Sequence, residues 1–134
     1  MLRSFVLLFA ILPSLASAST VIDQIELLND KFQNLEYSAG QVCDDMSEIV
    51  IKAHGHANEG IYTKEEMKSV TRFSVQESGL SKREKIIMRN FSMSAIDVGW
   101  EFPDQDPVWL AQVFQKSCVK ELTGLMVRIV LEDQ

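Results

Sequence analysis

Apolar side chains recur at steps of three and four along most of this chain, the period of an amphipathic helix. Between residues 21 and 37 they fall at Val21, Ile25, Leu28, Phe32 and Leu35, with Ser19 or Thr20 in position to cap the helix start. Gly40 punctuates the pattern, which resumes at Val42, Cys43, Met46, Ile49, Val50 and Ala53. Gly55 weakens the end of that second segment, and Asn58-Glu59-Gly60 is its exit.

Two capping boxes follow. Thr63-Lys64-Glu65-Glu66 opens a helix whose Met67, Val70 and Phe73 share one face, with Gly79 suited to its C-terminal cap. Ser81-Lys82-Arg83-Glu84 opens the next, with a stripe at Ile87, Phe91, Ala95 and Val98 and an end set by Pro103. Asp106-Pro107 is the clearest start signal in the chain, an N-cap followed by proline at the first helical position. Leu110, Val113, Phe114, Cys118 and Leu122 then carry an apolar face. The run Leu125–Leu131 fits either a helix or a short strand by periodicity, and helix is the reading taken. These patterns predict an all-α fold of about five helices in a compact bundle.

The first residues differ in kind from the rest. Arg3, the apolar run Phe5–Leu12 and the small residues Ala16-Ser17-Ala18 have the three parts of a secretory leader. The apolar run is well short of the roughly 20 residues that cross a bilayer as a helix. The expected organisation is a signal peptide over residues 1–18 and a single helical domain over 19–134. Export points to a periplasmic protein, with no stable membrane anchoring after leader cleavage.

Composition narrows the partners. The net charge is -6, and loss of Arg3 with the leader makes it -7. A chain of that charge without a long basic run has no face to neutralise phosphates, which argues against nucleic acid as a partner.

In an oxidising compartment two cysteines are more often a disulfide than a redox or metal site. Cys43 and Cys118 both fall on apolar helical stripes, so the expected bond is an internal staple between the second and last helices. The loop it closes, about 76 residues, corresponds to roughly 4 kcal/mol in the chain-entropy model. Neither cysteine has a Cys-x-x-Cys partner, which argues against a catalytic thiol.

The remaining candidate chemistry is thin. His54-Gly55-His56 is the one histidine cluster, but positions two apart point to different helix faces, and Glu59 brings the ligands to three at most. Asp104-Gln105-Asp106 fails the calcium-loop pattern at Val108 and Gln115. The acidic pairs Asp44-Asp45 and Glu65-Glu66 are adjacent on helices and do not face each other. No nucleophile elbow, phosphate loop or dinucleotide fingerprint appears. The expectation is therefore no catalytic residue, no metal and no cofactor. Asn90-Phe91-Ser92 matches the glycosylation pattern but lies inside a helix. Trp100, Phe102, Trp109 and Phe114 bracket the Pro103–Pro107 corner and are taken first as core, with an exposed aromatic anchor beside Glu101, Asp104 and Asp106 as the alternative.

The leader, the placement of Cys43 and Cys118 and the turn Gly60-Ile61-Tyr62-Thr63 together resemble small exported bacterial helical proteins with one disulfide. That loose group includes periplasmic acid-stress chaperones and immunity proteins that block peptidoglycan-amidase toxins of type VI secretion. The resemblance is to an architecture and carries over no functional residue. What it implies is a non-catalytic protein that binds another protein, as inhibitor, immunity factor or chaperone. The alternatives are a module that binds a small ligand or lipid among Met46, Met67, Met88, Met93 and Met126, and an enzyme with an unrecognised site.

Overall fold

Four helices make up the described residues, 15–132 of a computed structural model: α1 (Leu15–Glu59), α2 (Lys64–Gln76), α3 (Lys82–Glu101) and α4 (Pro107–Glu132). No strand occurs among them. The expected count of about five is corrected to four, because the two segments expected on either side of Gly40 form one continuous α1. Gly40 costs backbone entropy in a helix interior but does not forbid helical angles. Ser19 and Thr20, expected as caps, lie inside the same helix. Most of the expected leader, residues 1–14, lies outside the described residues.

The other boundaries follow local chemistry. Gly60 closes α1 at φ 70°, its N–H donating to the His56 carbonyl at 2.9 Å, a left-handed cap that glycine adopts without strain. Both capping boxes form. Thr63 Oγ1 accepts from the Glu66 N–H at 3.1 Å while Glu66 Oε1 accepts from the Thr63 N–H at 3.3 Å, and Ser81 and Glu84 repeat the exchange at 3.2 and 3.1 Å. Gly79 does not cap α2. That helix ends at Glu77 in a right-handed conformation, with N–H bonds back to Phe73 and Val75. Asp106 Oδ2 accepts from the Trp109 N–H at 3.2 Å and caps α4, which continues helically through residues 125–131.

By their contacts the helices fall into two units. One joins the part of α1 up to Gly40 to the part of α4 from Val119, and there Ala39 and Leu122 are fully buried. The other, residues 41–118, holds the rest of α1 and α4 with all of α2 and α3. In this second unit the buried residues of α1 are Cys43, Met46, Val50 and Ala53, those of α4 are Leu110, Ala111, Phe114 and Cys118, and those of α3 are Ser92, Ala95, Ile96 and Gly99. The α3 seam differs from the expected stripe: Ala95 is shared, while Ile87, Phe91 and Val98 are only half-buried. Small residues win that seam because α3 approaches α1 closely. A Cβ on Gly99 would stand 2.5 Å from the Val50 carbonyl oxygen and 2.6 Å from Ala53 Cβ. Ser92, buried beside this crossing, donates to Met46 Sδ at 3.3 Å and so satisfies its hydroxyl.

Candidate functional site

Cys43 and Cys118 form a disulfide, with Cα atoms 5.7 Å apart and both residues buried. The bond ties α1 to α4. Beside it Gln115 Nε2 donates to Asp44 Oδ1 at 3.3 Å across a groove that also holds Ser47, Ile51, Val108 and Lys116. Closed in the core, the sulfurs act as a crosslink.

The histidines are not brought together. His54 lies near α3, where its backbone N comes within 2.8 Å of a Cβ built on Gly99. Asn58 Nδ2 donates to the His54 carbonyl at 3.0 Å and to the Pro103 carbonyl at 3.3 Å, holding the end of α1 to the α3–α4 corner. His56 instead meets the Tyr62 ring edge-on, 5.0 Å between centroids. Among the described residues no group of three or more His, Cys, Asp or Glu side chains is placed to hold a metal ion. The methionines are also dispersed. Met46 is in the core, Met93 receives Arg72 Nη1 at 3.9 Å, and Met67 lines a shallow groove of about 300 Å³ with His56, Tyr62, Val70 and Thr71.

The feature that sequence periodicity misplaced is the orientation of α2. Met67, Val70 and Phe73 share a face, as expected, but Val70 is 63% and Phe73 67% exposed, and no residue of this helix is buried. What α2 turns towards α3 is the line Lys64, Lys68, Thr71 and Val75, which falls within about 60° of arc at 100° per residue. Lys64 and Lys68 both reach Asp97 Oδ1 on α3, at 2.9 and 2.7 Å. Burial alone would raise the Asp97 pKa, but the hydrogen bonds and charges of Lys68 and Lys64 together hold it below the usual aspartate value. The helix is thus docked through Lys64, Lys68 and Thr71 together with Val75. Val70 and Phe73 of its apolar face are presented to solvent and Met67 is half-buried, with Ile61 and Tyr62 exposed before its cap. A signal for this lay in the sequence: two lysines four apart in line with Thr71, and a lone Asp97 on α3 to receive them.

The aromatic group at the corner splits in the same way. Phe114 is core, Trp100 is half-buried, and Phe102 and Trp109 are exposed, Trp109 to 52%. The core reading therefore holds for Phe114 and fails for Phe102 and Trp109. Asp106 sets the start of α4 by accepting from the Trp109 N–H, which places this exposed residue within the first turn, close in sequence to Glu101, Asp104 and Asp106.

No helix among the described residues is long and apolar enough to cross a membrane. Comparison with family models, with curated proteins and with solved structures finds no match.

Proposed function

We propose that this chain is a non-catalytic exported protein that binds another protein through the outward face of α2. The observation that carries the reading is the inverted docking of that helix. An apolar stripe of Val70 and Phe73 faces water while lysines face the neighbouring helix, although burying the stripe is the ordinary solution for an amphipathic segment. A contiguous apolar surface with a charged surround marks an interaction site more often than an isolated exposed residue does. The disulfide and the Gly99 crossing supply the rigid support such a face needs.

An inhibitor, an immunity factor and a chaperone all fit this description, and the sequence resemblance to small exported helical proteins points the same way. The leader supports a periplasmic location, and cleavage after Ala18 would leave α1 beginning at Ser19. The disulfide is compatible with that compartment.

The test is capture from the exported protein fraction with the wild-type chain and with the double variant Val70→Ser/Phe73→Ser, at neutral and at mildly acidic pH. A partner retained by the wild type and lost with the variant, at unchanged melting temperature, supports the reading. Recovery of no partner under either condition, or equal recovery by both chains, counts against it.

A further inference from the structure

The charges on α3 are arranged against the helix's own interest. Lys82, Arg83 and Lys85 occupy its first turn, where the partial positive charge of the helix N-terminus disfavours them, and Glu101 stands in a last turn that holds no basic residue. The one acidic residue of the first turn, Glu84, is committed to the Ser81 cap. Lys85 is accounted for locally, its Nζ donating to the carbonyl of Gln76 at the end of α2 at 2.8 Å; no such contact accounts for the polarity of Lys82 against Glu101.

The polarity extends beyond α3. Residues 72–89, around the α2–α3 turn, carry five cations against two carboxylates, whereas residues 101–106, beyond the paired Asp97, carry three carboxylates and no cation. Each end also exposes apolar surface. At the basic end a groove of about 400 Å³ is lined by Val75, Gln76, Lys82, Lys85, Ile86 and Arg89, an aliphatic floor with cations around it. At the acidic end Phe102 and Trp109 are exposed, as are Glu101, Asp104 and Asp106 in the same stretch of chain.

These two surfaces are opposite in charge, and each exposes apolar side chains. The groove suits an indole, which arginine and lysine attract through the ring face, and its cations suit the carboxylates that flank Trp109. The helix from Ile86 in the groove to Glu101 at the corner separates them by about 22 Å, so one molecule cannot close the pair on itself. We propose that a second copy of this chain does so, the acidic Trp109 corner of one molecule seated on the basic groove of the next. Two copies related by a two-fold satisfy both contacts at once and close as a dimer, and any other arrangement propagates head to tail. It uses neither Val70 nor Phe73, so it stands or falls separately from the α2 face.

The experiment is sedimentation velocity on the full chain, expressed with its leader and purified after export, across a concentration series. In about 0.01 M salt, where the Debye length is about 30 Å, the average mass should rise with concentration, and in about 1 M salt, where it is about 3 Å, the protein should revert to monomer. Two charge-reversed variants sharpen the test. Lys82→Glu/Arg89→Glu destroys the groove, and Glu101→Lys/Asp104→Lys destroys the corner. The changes at Lys82 and Glu101 favour the α3 dipole, which helps both variants remain folded. Each variant alone should be monomeric. Mixed, they should associate again, because opposite charges then meet at both contacts, the native groove with the native corner and the reversed groove with the reversed corner. A wild type that stays monomeric at every concentration in low salt overturns the proposal. So does association that survives either reversal, or a mixture of the two variants that fails to associate.

Discussion

Gly99 stands where a Cβ would lie 2.5 Å from the carbonyl oxygen of Val50, so α3 and α1 cross at a distance only glycine permits. Backbone atoms cannot swing aside as a side-chain tip can. Gly99→Ala should therefore destabilise the protein by about 1–3 kcal/mol despite alanine's better helix propensity. Urea unfolding would measure it, and a variant as stable as wild type would show that the crossing tolerates a methyl group.

Gly40 predicts the opposite sign for the same substitution. It lies within α1, and a Cβ there would meet nothing within 4 Å. Gly40→Ala should stabilise by about 0.5–1 kcal/mol, since alanine loses less backbone entropy in a helix. A destabilised Gly40→Ala chain would indicate that the helix needs freedom at this point.

Reduction of the Cys43–Cys118 bond, or Cys43→Ser with Cys118→Ser, should cost about 2–5 kcal/mol. The bond joins positions 75 apart in sequence and so restricts a long loop in the unfolded chain. Thermal melts with and without reductant measure the effect, and identical curves would show the crosslink to be unimportant for stability.

Phe73→Ser separates the two readings of α2 by stability alone. A phenylalanine in a core costs about 3–5 kcal/mol when truncated, whereas one exposed to water should change stability by no more than about 0.5 kcal/mol. The 67% exposure of Phe73 places it in the second class. A large loss on urea unfolding would return the residue to the core.

Asp97 gives the α2–α3 contact a pH dependence. Lys68 and Lys64 hold its carboxyl below the usual value of 3.8 in the folded protein, despite the opposing effect of burial. Its contribution is therefore present above that value and is lost as pH falls through the lower, folded one. The side chain is 43% exposed, so solvent screens the pair and its worth is under about 1 kcal/mol. Asp97→Asn should be slightly less stable than wild type at pH 7, and the difference should vanish in acid. A gap that is the same at both pH values would rule out ionisation as its cause.

Local signals were the legible part of this chain. Thr63 with Glu66, Ser81 with Glu84 and Asp106 with Pro107 each act within one turn, so residues a few positions apart suffice to set where α2, α3 and α4 begin. Cys43 and Cys118 were legible for another reason, since each sits on an apolar stripe and neither has a competing partner. Gly40 was misread because glycine is permissive in either role, and only the chain on both sides determines whether a helix ends there.

The candidate surface was less legible. The spacing of Met67, Val70 and Phe73 establishes that they share a face but not which way the face turns. Lys64 and Lys68 settle that by meeting Asp97, an acid about thirty residues onward. The exposure of Trp109 likewise depends on the direction in which its cap launches α4.

By itself, then, the sequence determined helical class, three of the four helix starts and the disulfide pair, because periodicity, caps and thiol chemistry act locally or by elimination. Only the tertiary structure decided which amphipathic face is covered and how closely α3 meets α1. Those outcomes depend on competition among distant side chains for the same space, and no spacing along the chain records who wins it.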